Sequence, residues 1–421
     1  MRGVFRRSIC GLMAVSGLLL AAGSPALAAS PQCDSDNGGI KLPPGFCALV
    51  VADNLGEARH AVVAPNGDLF VALQDGGIVS LHDSTGNGRF DVKNHFGDQS
   101  VTGIGFHDGY LYFATPVSVE RYKWSPGQLK PTGPPETVVT GLPVQHEHED
   151  KGLTFDRNEH LYINVGAPSN ACQSRDRQPG VPGMNPCPIL EKHGGAWRFD
   201  ADKLNQTQEQ GVRFATGLRQ FPALTWHDDA LYIVMNNRDQ LDTLWPKYFT
   251  AEENATWPAE PMYRATMGDN FGWPFCDFNY VTKKMFLNPE YGGDGKKTDH
   301  CEQYTLPIVA FPAHWAPVDV MFYSGHMFPA KYRGGAFIAF HGSWNRAPLP
   351  MAGYNVVFQP FDGGKPSGKW EVFADGFKGT ERLMAPNDAA ARPDGLAQAP
   401  DGSLYITESQ HGKVWRVLYR K

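Results

Sequence analysis

Beyond its first 28 residues the chain has no run of about 18 apolar residues, so nothing later in it has the length of a membrane-spanning helix. Charge is scarce: 19% of residues are Asp, Glu, Lys or Arg, and the formal balance is -6. That sign leaves no basic footprint for nucleic acid or an anionic membrane surface, and points to small molecules or other proteins as partners. No C-x-x-C-H occurs, which excludes a covalently attached c-type haem. Nor does any long stretch keep a 3.6-residue apolar period, so helices are not the building material. In excess are turn formers, 46 Gly and 33 Pro, with 12% aromatic residues, the composition of a turn-rich β protein.

Residues 1–28 read as a cleaved leader: Arg2, Arg6 and Arg7 form a basic segment, Ile9 to Ala22 an apolar one, and Ala26-Leu27-Ala28 a cleavage site before Ala29. The mature protein is therefore expected in the periplasm or secreted. Cys10 lies in the leader, which leaves six of the seven cysteines, an even number that suits disulfides in an exported chain. Spacing suggests Cys33 with Cys47, Cys172 with Cys187 and Cys276 with Cys301, although six cysteines allow fifteen pairings. A loop of about 15 residues closed in this way is worth roughly 3 kcal/mol in the chain-entropy model.

One unit recurs: an Asp/Gly-type turn followed by a strand of Leu, Tyr and Phe. It appears as PNGDLFVAL (65–73), HDGYLYFAT (107–115), DRNEHLYINV (156–165), HDDALYIVM (227–235), YRGGAFIAF (332–340) and PDGSLYITE (400–408). Short apolar strands precede several copies, as in ARHAVVAP, KGLTF and FPALTW, and others follow. Six such units predict an all-β chain folded as a six-bladed β-propeller over residues 29–421. The longest gap between copies predicts an inserted lobe at about 242–330, framing a pocket at the mouth of the central channel.

Residues 141–170 carry an acidic, histidine-bearing segment ahead of a hairpin, with His148 just before the first strand. A loop-rim histidine with an ordinary pKa near 6.5 is suited to take a proton at neutral pH, and turnover would then fall as pH drops through the histidine range. A solvated loop residue is the competing reading. Asp83, Thr85, Asn87 and Asp91 have the oxygen spacing of a Ca²⁺ loop, but no closing Glu follows and a plain Asx/Gly turn is favoured. His146 and His148 lack a third ligand for Zn²⁺ nearby.

The order LPPGF (42–46), H-x-x-x-G-L-x-F (148–155), VGAPSN (165–170), ATGLRQFPAL (215–224), NNRDQL (236–241), FGWPFC (271–276), YRGGAFIAFHGSWNR (332–346) and RPDGLAQAPDGSLYIT (392–407) resembles the soluble PQQ-dependent glucose/sorbosone dehydrogenases, nearer the sorbosone branch. The resemblance implies PQQ and Ca²⁺ on one face of the propeller, with His148 as general base and hydride transfer to the quinone. It further implies cofactor contacts from Arg219, Gln220, Trp344, Asn345, Arg346 and Arg392, with Ca²⁺ at Asn236, Asn237 and Asp239. Trp273 is a further candidate wall, and Glu149 or Asp150 a candidate partner of the imidazole. Gln220 departs from the family's Asn. The substrate implied is an aldose or sorbosone-like aldehyde, and the electron acceptor a separate cytochrome c or quinone. From the residues alone two other classes stay open: a carbohydrate- or protein-binding propeller without chemistry, and a Ca²⁺-dependent sugar lactonase.

Overall fold

The computed structural model describes residues 31–420, together with Met1 and residues 3–5; the expected leader falls almost wholly outside them. Six blades of four antiparallel strands, two of them extended by a short parallel fifth strand, form a β-propeller. Each of the six recurring units supplies the second strand of its blade: Leu69–Leu73, Tyr110–Ala114, His160–Val165, Ala230–Asn236, Ala336–Phe340 and Leu404–Glu408. Second strands stand between neighbouring blades, so Leu69–Leu73, Ala336–Phe340 and Leu404–Glu408 are buried on both faces. This burial is why they read as near-continuous apolar runs. The fourth strand of blade one, Val92–Phe96, is nowhere buried and carries no comparable signal. Apolar clusters fill the gaps between blades. Phe70 of blade one meets Phe106 of blade two edge-on, at 5.3 Å, as aromatic pairs prefer.

Blade six is assembled from both ends of the chain. Phe46–Ala52 pairs antiparallel with Val414–Tyr419, beside Leu404–Glu408 and Pro393–Gln398. Phe46 then packs edge-on against Phe328, Phe373 and Tyr332, at 4.8 to 5.3 Å. This pairing joins the two ends of the chain in one blade and so closes the ring.

The stretch 242–330 is narrower as a lobe than the gap between repeats suggests. Within it, Glu260–Ala265 and Val309–Phe311 complete blade four and Pro317–Phe322 opens blade five. The excursions proper are 237–259, which holds the short helices Leu241–Leu244 and Ala251–Thr256, and 266–308. A buried fork, Arg238 Nη1 to Glu290 Oε2 (2.5 Å) and Nη2 to Oε1 (3.0 Å), ties them together. Cys33–Cys47, Cys172–Cys187 and Cys276–Cys301 are the disulfides. Thiol titration of the denatured, unreduced protein without its leader is expected to find none of these six free; two reactive thiols would remove a pair.

Candidate active site

Because strands alternate in direction, the connections between blades and those between second and third strands share one end of the propeller. A cavity of about 360 Å³ opens there over the central channel, within the range of small-molecule sites. Three excursions wall it, 166–194 in blade three, 237–259 in blade four and 341–354 in blade five, and the starts of the first strands make its floor. Arg59, Pro222, Val318 and Asp394 occupy one register position. Each lies two residues before the residue (Ala61, Leu224, Val320, Leu396) that pairs with Val71, Ile233, Ile338 or Ile406. The first three line the cavity, and Asp394 pairs with Arg59 at 2.8 Å.

His148 lies on the wall, half-buried, with φ +59. A left-handed non-glycine residue persists only where its surroundings over-determine it. Here Gln145 donates its amide to the carbonyls of Glu147 (2.8 Å), His148 (2.8 Å) and Gly166 (3.2 Å). His148 Nδ1 donates to Ala167 O at 2.5 Å; a carbonyl can only accept, so the proton sits on Nδ1 and the neutral ring keeps its lone pair on Nε2. Its partner is thus a main-chain oxygen, and neither Glu149 nor Asp150 orients it. Burial, then the charge of Arg219, push its pKa from 6.5 down to about 3. The expected acid limb in the histidine range therefore moves: the His148 ring of the unloaded protein should not titrate between pH 5 and 8 when followed by histidine NMR, and a midpoint near 6.5 would contradict the geometry. Since the folded value lies below the unfolded one, burying this neutral ring stabilises the fold above about pH 6.5, and that contribution is lost as pH falls toward 3.

Beside it, with Ala167 N donating to Arg219 O at 2.7 Å, stands a charged cluster. Arg219, 3% exposed, donates from Nη2 to Asp239 Oδ2 (2.7 Å) and from Nη1 to Asn237 O (2.8 Å). Asp239 also takes Arg177 Nη2 at 3.4 Å and Asn345 Nδ2 at 2.7 Å, and Asn170 clamps its backbone from both sides (2.9 and 3.0 Å). Gln220 Oε1 accepts from Asn164 at 3.3 Å. Arg392 lines the cavity while Nε and Nη2 donate to the carbonyls of His341 (3.1 Å) and Gly342 (2.9 Å). Trp344, 50% exposed, stands at the mouth.

Two candidates are displaced. Arg346 does not line the cavity: its guanidinium donates to the carbonyls of Pro350, Ala255 and Ala313, pinning the Trp344 loop to blade four. Trp273 is 1% exposed and lies beneath the excursions, where Nε1 donates to Asn170 O at 3.0 Å. Conversely Arg59, Glu147, Arg177, Glu260, His314 and His341 line the site without having been singled out. A signal existed for Arg59, which shares the register of the other floor residues. None existed for Arg177 or His314, which irregular loops deliver.

The residues expected to hold Ca²⁺ do not fit it. Both Asp239 oxygens already face cationic or amide donors, Asn237 Oδ1 accepts from Arg238 N (2.8 Å), and Asn236 Nδ2 is turned to Pro317 O (2.7 Å). Asp83 accepts the amides of Thr85, Asn87 and Gly88, which makes 83–91 an Asx-type turn. Among the described residues, the one group of three His, Cys, Asp or Glu ligand atoms close enough for an ion is the exposed Asp108, Glu159 and Asp202, which includes neither His146 nor His148. A polycarboxylate is another matter. Four guanidinium groups, of Arg59, Arg177, Arg219 and Arg392, face the carboxylates of Glu147, Asp150 and Asp239, while burial pushes Glu260 up to about 8 and so keeps it neutral. Buried Nε atoms of Arg59 and Arg219 have no acceptor among the described residues, and such donors suit the anionic oxygens of a tricarboxylate like PQQ.

Comparison with known proteins gives the family and the fold. The TrAA12-like family model matches residues 40–421. An uncharacterized protein of Borreliella burgdorferi is 31% identical over 396 residues, covering 91% of each chain. A pyrroloquinoline quinone-dependent pyranose dehydrogenase of Coprinopsis cinerea is 29% identical over 189 residues, 38% of this chain and 24% of that protein. The holo PQQ domain of Coprinopsis cinerea pyranose dehydrogenase shares the fold, with a TM-score of 0.74 at 19% identity, over 93% of this chain and 99% of that one. With the model spanning everything from Ile40 to the last residue, the chain belongs to the TrAA12-like family.

Proposed function

We propose that the protein is a PQQ-dependent oxidoreductase that oxidises a sugar or related polyhydroxy aldehyde, with His148 as general base. One observation carries this reading: a neutral imidazole, its Nδ1–H committed to Ala167 O, presents the Nε2 lone pair in an arginine-walled cavity. Arg219 and Arg392 would pair the cofactor carboxylates, with Gln220 and Asn345 as amide contacts and Trp344 as an apolar wall. When bound, PQQ supplies a two-electron acceptor for the hydride of the carbinol carbon. His148 Nε2 takes the hydroxyl proton as that C–H bond breaks, so the carbinol leaves as a carbonyl and the imidazole as imidazolium. Burial of the ring keeps it unprotonated before each turnover, and Arg219 stabilises anionic oxygen nearby.

The PQQ-dependent pyranose dehydrogenase likeness supports the sugar assignment. The lactonase reading loses its support because the Asp239 carboxylate is taken up by guanidinium groups, and no step is assigned to Ca²⁺. Export to the periplasm or medium is supported by three disulfides, and a separate cytochrome c or quinone would reoxidise the cofactor. The test is calorimetry of the unloaded protein with PQQ, followed by aldose addition under a quinone-absorbance readout. Saturable binding and bleaching by an aldose are expected. Absence of binding defeats the assignment, and binding without bleaching by any sugar reduces the protein to a binder.

A further inference from the structure

A single excursion, residues 166–194 of blade three, grips the His148 loop at two points. Its first residues make the near grip. Ala167 O takes the Nδ1 proton, and a Cβ on Gly166 would lie 2.5 Å from His148 O and 2.8 Å from His148 Cβ, so the two backbones touch only because glycine is there. Beyond Cys172, held to Cys187, the segment doubles back and returns Arg177, at φ +52, to the cavity wall. Asp176 closes that turn by accepting Ser169 Oγ (2.6 Å) and Asn170 N (3.0 Å).

Arg177 makes the far grip. Its Nε and Nη2 fork the carboxylate of Glu147, the residue before the base, at 3.2 and 3.1 Å. At the same time Nη1 donates to Gln240 Oε1 (2.7 Å) and Nη2 reaches Asp239 Oδ2 (3.4 Å). One planar group therefore spans the gap between the base and the Arg219–Asp239 pair. We infer that Arg177 is a positioning residue for His148: it sets the base against the cofactor side of the cavity, and the stapled excursion delivers it there. The inference rests on the reading of His148 as the base.

Magnitudes separate this role from a purely structural one. The Glu147 side chain is 42% exposed, and ion pairs with an exposed partner add little to stability. A left-handed backbone at His148, by contrast, needs constraint from outside, and a misplacement of about 1 Å at a reacting group costs on the order of 10²-fold in rate. Lysine cannot make a planar fork, so Arg177→Lys keeps the charge and removes the geometry.

The experiment compares Arg177→Lys, Glu147→Gln and the double variant with wild type, PQQ-loaded for kinetics and unloaded for long-range ¹H–¹⁵N spectra of labelled histidines. Expected are a kcat loss of about 10- to 100-fold in each, KM and PQQ affinity within about threefold, and a double variant no worse than either single one, because both break the same fork. The His148 spectrum should change from a fixed Nδ1–H tautomer to an average of two. A kcat for Arg177→Lys within twofold of wild type overturns the inference, as do additive losses. A loss explained by weaker PQQ binding would make Arg177 a cofactor contact instead. Should wild type neither bind PQQ nor oxidise a sugar, the functional reading fails by itself; the spectra of the unloaded variants still decide, and an unchanged tautomer sinks the positioning role.

Discussion

Replacing His148 with Asn should lower kcat by about 10²- to 10⁴-fold, the usual cost of losing a general base. Asparagine retains a hydrogen-bonding end of similar size at a position where Nδ1 meets Ala167 O at 2.5 Å, so the loop should hold and PQQ affinity change little. His146→Asn is the control. His146 is exposed two residues away in the same polar run, and its variant should match wild type. Steady-state kinetics on both decides: equal losses, or a His148→Asn enzyme within a few-fold of wild type, would place the base elsewhere.

Arg219→Ala should have the second-largest effect, and on two quantities. A cofactor carboxylate left without its guanidinium costs about 2–5 kcal/mol of affinity, as when one partner of a buried charge pair is truncated. The protein itself loses stability, because Asp239, 6% exposed, then keeps only the more distant Arg177 at 3.4 Å as a guanidinium partner; breaking a buried pair costs about 3–5 kcal/mol. Calorimetry and thermal unfolding read the two separately. Unchanged PQQ affinity with a lowered Tm would assign Arg219 a structural role alone. His148 adds an internal check: the Arg219 charge helps to hold its pKa down, so the variant's histidine should titrate closer to 6.5.

The two substitutions also mark where the sequence was readable. His148 and Arg219 sit in short connections next to first strands, where a residue's distance from the repeat tells which end of the propeller it reaches. Asn345 and Arg346 show the limit. They are neighbours in GSWNR, yet Asn345 reaches Asp239 whereas Arg346 turns away to the carbonyls of Ala255 and Ala313. Nothing in the local pattern distinguishes them, since the acceptors belong to blade four and its approach to blade five.

By itself, the sequence determined the all-β class and the six blades, and its spacing suggested the three cysteine pairs that the fold then selected from fifteen. These follow from local regularities: a turn and a doubly buried strand repeated six times, and cysteines spaced to close short loops. Only the tertiary structure decided that Phe46–Ala52 completes the last blade, since its partner lies some 370 residues away and hydrogen bonds across that distance leave no periodicity to read. The same holds for the charges of the site. Whether Asp239 could hold a metal depended on Arg219 and Arg177, which meet at its Oδ2, and on Asn345 at its Oδ1, all three delivered by other connections. Whether His148 would be protonated at neutral pH depended on its burial and on the charge of Arg219, which the next blade brings beside it. Composition and spacing name the groups; their ionisation and partners are set by which loops the closed ring brings together, because desolvation and Coulomb interactions depend on distances in space.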